Sequence, residues 1–105
     1  MANYRALVHY NFKKGMEERG IKFLESELLM KATEYGCHNI EILQNEMEPT
    51  NVIGVALWHS LEEAKKFQSE WEKKEKQLLQ FCKNPPKREF MHVRFSFLEK
   101  SKRVA

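Results

Sequence analysis

Six aromatic or apolar side chains are the candidates for a ligand pocket, because their alternate or helical spacing places them on one side of the predicted elements. They are Trp58, Tyr4, Tyr10, Val8, Phe67 and Trp71. The Trp58 indole can stack on a flat aromatic ligand and donate its N–H to a carbonyl or a developing oxyanion. Tyrosine hydroxyls on the same face can orient that ligand. The alternative, that these rings simply fill a hydrophobic core, stays open at this point.

The remaining reactive side chains form no recognisable site. All four histidines fall on predicted strands or strand ends: His9, His38, His59 and His92. His9 and His92 could lie close on neighbouring strands beside Arg94, but a metal site or an acid–base pair there would need a third ligand or a pocket. Cys37 and Cys82 lack any CxxC or metal-ligand spacing. We therefore predict no metal, no cofactor, and two reduced thiols in a cytoplasmic protein.

Length and charge restrict the class of protein. A chain of 105 residues has room for one core, and 18 basic against 15 acidic residues give a net charge of only +3. The basic excess falls late, so residues 99–105 are predicted to be a solvated basic tail after a domain spanning 1–98. No apolar run approaches the roughly 18 residues that a membrane span needs. Nucleic acid and membrane are therefore not expected partners.

Hydrophobic periodicity predicts alternating strands and helices. Strands are predicted at 3–12, 37–45, 52–59 and 88–98, and helices at 16–35 and from Ser60 to about residue 81. Ser60 and Glu63 form a capping box at the start of the second helix, and Pro85 ends it. The order β-α-β-β-α-β predicts an α+β, ferredoxin-like fold. Its four-stranded antiparallel sheet should have the order 4-1-3-2, with both helices on one face.

The sheet face away from the helices is predicted to be a dimer interface. Ile53, Val55 and Leu57 lie on a central strand with no helix left to cover them. At roughly 25 cal/mol per Å2, exposing these side chains forgoes several kcal/mol. The predicted interface comprises Leu7, His9, Ile53, Val55, Leu57, Phe90, His92 and Arg94, whereas Met91, Val93 and Phe95 are assigned to the helix face. A homodimer with two sheets packed face to face would bury the open face.

Three short motifs resemble those of the antibiotic biosynthesis monooxygenase domain: "KKGMEE" after the first strand, "YGCHNIEIL" after the first helix, and "VALWHSLEEAKKF" around the third strand. The similarity extends over about residues 4–97. The positions that match the family pattern are Gly15, Glu17, Glu18, Gly36, Cys37, Trp58, Ser60, Glu63 and Ala64. This resemblance implies a homodimeric α/β barrel in the cytoplasm, with a pocket in each subunit between the sheet and the helices.

The family's activities include oxygenation of aromatic polyketides or quinols without metal or flavin, and degradation of haem. The haem-degrading branch is similar in outline, but its functional Asn, Trp and His correspond to Val8, Phe67 and Gln77 here. The second helix contains no histidine to ligate iron, which argues against haem chemistry. Some cofactor-free oxygenases place an Asn where this chain has Gly54, so their mechanism does not transfer directly.

Two hypotheses for function remain. The first is a cofactor-independent monooxygenase for a small aromatic substrate, quinol-like or polyketide-like, with Trp58, Tyr4 and Tyr10 as positioning groups. The second is a non-catalytic module that binds a small hydrophobic ligand or serves in assembly. The sequence shows no convincing general base, so no catalytic residue is assigned. A third hypothesis, an RNA-recognition domain, is rejected because strands three and four lack its aromatic–glycine signature.

Overall fold

Four strands and two helices follow one another in the order predicted from the sequence. The computed structural model describes residues 3–97. The strands are β1 (Tyr4–Asn11), β2 (Asn39–Gln44), β3 (Asn51–Trp58) and β4 (Lys87–His92). The first helix runs through α-helical Glu17–Phe23, π-helical Leu24–Leu28 and α-helical Leu29–Glu34; the second spans Leu61–Leu78 and continues as a 3-10 turn over Leu79–Phe81.

The predicted helix boundaries have visible local causes. Ser60 is extended and its Oγ accepts from the Glu63 backbone N–H at 3.1 Å, which satisfies one of the donors left open at a helix start. Gly36 has a φ of 87°, the left-handed conformation that glycine adopts without a steric penalty. It therefore ends the first helix and turns the chain into β2.

The sheet has the order β2-β3-β1-β4, which confirms the predicted antiparallel topology. Side chains alternate along β3, with Val52, Gly54, Ala56 and Trp58 buried and the residues between them partly exposed. This set faces the two helices, and Val52, Ala56 and Trp58 belong to the hydrophobic core. The π-helical stretch contributes fully buried Leu24 to that core.

The sheet faces predicted for the side chains of β4 are wrong. β4 pairs with β1 so that Phe90 lies opposite Ala6 and His92 opposite Tyr4. Directly paired residues share a face, so Phe90 and His92 lie on the helix side and not on the open face. Met91, predicted to face the helices, lies instead on the open side and is 47% exposed.

The last strand is also shorter than predicted, because it ends at His92 rather than near residue 98. Phe95 and Phe97 follow the strand and are 83% and 77% exposed, so Phe95 does not join the core as expected. Val93, also predicted on the helix face, and Arg94, predicted at the interface, likewise lie beyond the strand. Leu98 and the predicted basic tail at 99–105 lie outside the described residues.

The open sheet face carries apolar side chains without a helix above them. Leu7 and the β3 residues Ile53, Val55 and Leu57 are each partly exposed there. His9 lies on the same face, paired with Ile53. Within residues 3–97, neither helix is long and apolar enough to cross a membrane.

Candidate functional site

A small cavity of about 40 Å3 lies between the sheet and the helices. Five of the six predicted pocket residues line it, namely Val8, Tyr10, Trp58, Phe67 and Trp71. The sixth, Tyr4, stacks instead on the His92 ring with the two centroids 4.9 Å apart. The other lining residues are Ala6, Leu7, Leu28, Ile40, Gly54, Ala56, Ala64, Gln68, Arg88, Glu89 and Phe90.

The cavity exists because small residues stand beside large rings. Gly54 and Ala56 on β3 and Ala64 on the second helix leave space that longer side chains would fill. Trp58, Phe67 and Trp71 form a continuous aromatic wall, with centroid distances of 5.3 Å from Trp58 to Phe67 and 6.3 Å from Phe67 to Trp71. These surroundings suit a flat apolar compound.

Trp58 carries a buried donor without an acceptor. Its side chain is 0% exposed, and its Nε1 finds no hydrogen-bond partner among residues 3–97. An unmade hydrogen bond on a buried group costs about 1–3 kcal/mol. Such exceptions call for an explanation, and a ligand oxygen in the adjoining cavity would satisfy this donor.

A buried polar cluster adjoins the cavity through three of its lining side chains. Glu75 is only 6% exposed, and its Oε2 accepts from Trp71 Nε1 at 3.1 Å, Tyr10 OH at 3.2 Å and Arg88 Nη2 at 2.6 Å. Arg88 also contacts Glu72 Oε2 at 3.4 Å. Tyr10, Trp71 and Arg88 line the cavity themselves, so the carboxylate fixes the orientation of three lining side chains at once.

The Tyr10 hydroxyl is held in its neutral form. Burial raises its pKa far above the ordinary value, and the adjacent Glu75 charge raises it further. Trp71 Nε1 also approaches the Tyr10 oxygen, at 3.4 Å. Tyr10 therefore keeps its proton under all ordinary conditions and acts only through hydrogen bonds.

Sequence reasoning missed Glu75 and Arg88. The second helix buries the apolar residues Ala64, Phe67, Trp71 and Leu78. Between Trp71 and Leu78 there is one more core-facing position, and no apolar residue occupies it. Glu75 lies four residues after Trp71, so a charged residue at a core-facing position was the available signal. Such a residue is rarely buried unless it is paired.

The histidines do not assemble as expected. His9 lies on the open face and bonds Glu89 at 3.1 Å, whereas His92 lies on the other face against Tyr4. His38 and His59, whose proximity was not predicted, have ring centroids 3.9 Å apart. Among residues 3–97, no three His, Cys, Asp or Glu side chains are grouped so that they could hold a metal ion.

Both cysteines are free thiols. Burial raises the pKa of Cys37, and it raises the pKa of buried Cys82 to about 11, with the Glu75 charge adding to the effect. A thiol with a raised pKa is a poor nucleophile, because the thiolate is the reactive form. Neither cysteine has the properties of a catalytic group.

No protein-family model matches the sequence, and no curated protein sequence shows a significant match. Solved structures do match. A monooxygenase from the ActVA-Orf6 gene of Streptomyces coelicolor, in complex with nanaomycin D, superposes with a TM-score of 0.79 at 16% identity, covering 94% of each chain. A variant of SnoaB, a cofactor-independent oxygenase from Streptomyces nogalater, gives 0.79 at 9% identity, covering 94% of this chain and 100% of its own.

A dimeric ferredoxin-like protein from an uncultured marine organism gives a TM-score of 0.77 at 16% identity, covering 95% of each chain. At these identities the likeness establishes the fold alone. The chain therefore has the ferredoxin-like fold of the antibiotic biosynthesis monooxygenases, as its sequence motifs predicted.

Proposed function

We propose that the chain is a homodimeric, cofactor-independent monooxygenase for a small aromatic substrate of the quinol or anthrone class. The observation that carries this proposal is the unsatisfied Trp58 N–H at an apolar, aromatic-walled cavity. Substrates of this class oxidise through an oxyanion, and a preorganised donor in a dry site stabilises such a charge strongly. The matching structures include two oxygenases, which supports the reaction class by analogy only.

The reaction consumes only the substrate and dioxygen, and the two balance without an added reductant. An anthrone methylene carbon loses two hydrogens and gains one oxygen atom, and the second oxygen atom leaves as water. The substrate supplies four electrons and dioxygen accepts four. In this scheme Trp58 donates to the substrate oxygen as it becomes an anion, while Phe67 and Trp71 stack on the rings.

The cavity must enlarge to admit such a substrate. Its volume of about 40 Å3 is well below the roughly 300–1,000 Å3 of typical ligand pockets. The polar lining residues include Gln68 of the second helix and Arg88 of β4. Movement of β4, an edge strand, away from that helix is the opening we propose.

The homodimer belongs to the same proposal. Ile53, Val55 and Leu57 form an apolar row on the open face, and one matching structure is a dimeric ferredoxin-like protein. Packing two such faces together would remove that row from water. The cytoplasmic location expected from the unpaired cysteines is part of the proposal as well.

Oxygen uptake with 1,8-dihydroxyanthrone tests the activity, with the rate in buffer alone subtracted. We expect Trp58→Phe to lower kcat by about 10²–10³, as removal of one oxyanion donor does elsewhere. Tyr35→Phe is the control, because Tyr35 packs edge-on against Phe67 and does not line the cavity. Unchanged turnover in Trp58→Phe would show that the site is wrongly assigned.

The second candidate function is a binding module without catalysis. The observation in its favour is that Glu75, the one buried carboxylate among the described residues, accepts bonds from three donors and is not poised as a free base. Saturable binding of the anthrone under argon, together with oxygen uptake no faster than in buffer, would establish this alternative.

A further inference from the structure

We infer that Tyr10 accepts a hydrogen bond from a hydroxyl group of the bound aromatic compound, and that Glu75 is the positioning residue that imposes this polarity. The inference rests on the proposed function, since it needs the cavity to hold an aromatic ligand. It adds a requirement on the ligand: a hydroxyl donor at the Tyr10 side in addition to an acceptor oxygen at Trp58.

Counting hydrogen-bonding groups gives the polarity of Tyr10. A tyrosine hydroxyl has one hydrogen and two lone pairs, and an ionised carboxylate only accepts. At 3.2 Å from Glu75 Oε2, the Tyr10 hydrogen is therefore committed to Glu75. Trp71 Nε1, whose single hydrogen is shared with Glu75, approaches the Tyr10 oxygen at 3.4 Å and takes at most one of its lone pairs, so at least one lone pair remains for a ligand group. That group must be a donor.

Arg88 keeps the arrangement in place. Its Nη2 contacts Glu75 Oε2 at 2.6 Å, and its Nη1 reaches Glu72 at 3.4 Å. The guanidinium can only donate, so Glu75 Oε2 accepts from it and does not donate back to Tyr10. The hydroxyl of Tyr10 therefore cannot reverse its direction without breaking a bond in a buried site, where an unmade bond is costly.

Trp58 offers the ligand a hydrogen-bond donor and Tyr10 offers it an acceptor, and the two residues lie at different positions along the sheet. The indole N–H only donates, so the ligand needs an acceptor there. Trp58 pairs with Tyr4, six residues before Tyr10 on β1, which separates the two backbone positions by roughly 20 Å along the sheet. The rings of Phe67 and Trp71 form a chain of contacts from Trp58 to Tyr10, whose hydroxyl lies 3.4 Å from Trp71 Nε1. A fused-ring compound with a carbonyl at one end and a hydroxyl at the other fits this pattern.

Three stable probes differ by one group each: 6-hydroxy-1-tetralone, 6-methoxy-1-tetralone and 5,6,7,8-tetrahydro-2-naphthol. Their dissociation constants are measured by titration calorimetry. We expect the methoxy ketone to bind about tenfold more weakly than the hydroxy ketone, because it cannot donate to Tyr10. The naphthol, which has no acceptor for Trp58, should lose a similar factor.

Variants assign the preference to its residues. Tyr10→Phe should bind the hydroxy and methoxy ketones within about twofold of each other, and Tyr35→Phe should keep the tenfold difference. Glu75→Met should also lose the preference, because Tyr10 then has no carboxylate to donate to and its hydrogen can turn toward the cavity. Far-ultraviolet circular dichroism and thermal melting check that each variant is folded.

The outcomes separate this inference from the proposed function. A wild-type protein without preference for the hydroxy ketone, or a Tyr10→Phe protein that keeps it, would overturn the inference even if anthrone oxidation is observed. A tenfold preference retained by Glu75→Met would remove Glu75 from its role. The expected preferences without any oxygen uptake would leave the inference standing and refute the monooxygenase. No binding of any probe would overturn both.

Discussion

The two buried tryptophans provide a test of whether the Trp58 N–H is unsatisfied. Trp58 and Trp71 are 0% and 2% exposed, belong to one core and line one cavity. Replacing either with Phe removes the same atoms and leaves a similar void. The difference between the two variants therefore reports mainly on the indole N–H, which has no partner in Trp58 and bonds Glu75 in Trp71.

The magnitude follows from that difference. Trp71→Phe loses a hydrogen bond to a charged acceptor, which contributes about 1.5–3 kcal/mol. Trp58→Phe removes a buried donor whose burial cost about 1–3 kcal/mol, so it regains that amount. After the shared void cancels, Trp71→Phe should be less stable than Trp58→Phe by about 2.5–6 kcal/mol. At roughly 4–8 °C per kcal/mol for a domain of this size, the two variants should differ in Tm by roughly 10 °C or more.

Urea unfolding followed by circular dichroism measures both free energies of unfolding. All proteins are compared at one concentration, because dimerisation would couple stability to concentration. Equal destabilisation by the two substitutions, within about 0.5 kcal/mol, would refute the reasoning. It would mean that the Trp58 N–H is bonded in solution, and the main support for a ligand oxygen beside it would be gone.

Further predictions concern the glycines, the buried thiol and the open face. A Cβ on Gly20 would overlap the Phe12 ring in the core, so Gly20→Ala should lower the free energy of unfolding by about 1–3 kcal/mol. A Cβ on Gly54 would meet its nearest atoms at 3.7–3.9 Å, so Gly54→Ala should fold normally and bind tetralones more weakly. The pKa of Cys82 is raised to about 11, so between the pKa of the unfolded thiol and pH 11 the folded state holds a proton that the unfolded state has lost. The resulting stabilisation is complete below pH 8 and is lost as the pH rises through 11. Thermal melts from pH 8 to 11, with Cys82→Ala as the control, test this expectation. Val55→Asp should give a monomer in sedimentation velocity, and a wild-type monomer at micromolar concentration would contradict the dimer.

The order of elements could be predicted because each carries a strong local signal. Ser60 caps the second helix, Gly36 ends the first, and both helices have apolar positions at steps of three and four. These signals depend on residues close in sequence, so they need no tertiary information. The ferredoxin-like topology then follows from general rules on crossovers.

The faces of β4 could not be predicted with the same security. From residue 88 to 97 both the even-numbered and the odd-numbered residues include apolar side chains. The alternation therefore does not decide which of the two sets faces the helices. The set ending in Phe95 and Phe97 is the more apolar, but it lies largely beyond the point where the strand ends. A shift of one residue exchanges the two faces of a strand, which is why both Phe90 and His92 were misplaced together.

Glu75 and Arg88 illustrate a different limit, since the two residues are 13 apart in sequence, lie on different elements and meet through packing rather than local pattern. Buried ion pairs seldom add stability relative to apolar residues of similar size, because the cost of removing both charges from water offsets their attraction. Stability alone therefore does not explain a carboxylate in this core. Its position behind Tyr10 and Trp71, two lining residues with polar groups, accounts for it better: the charge fixes which way their hydrogens point, and so which ligand the cavity accepts.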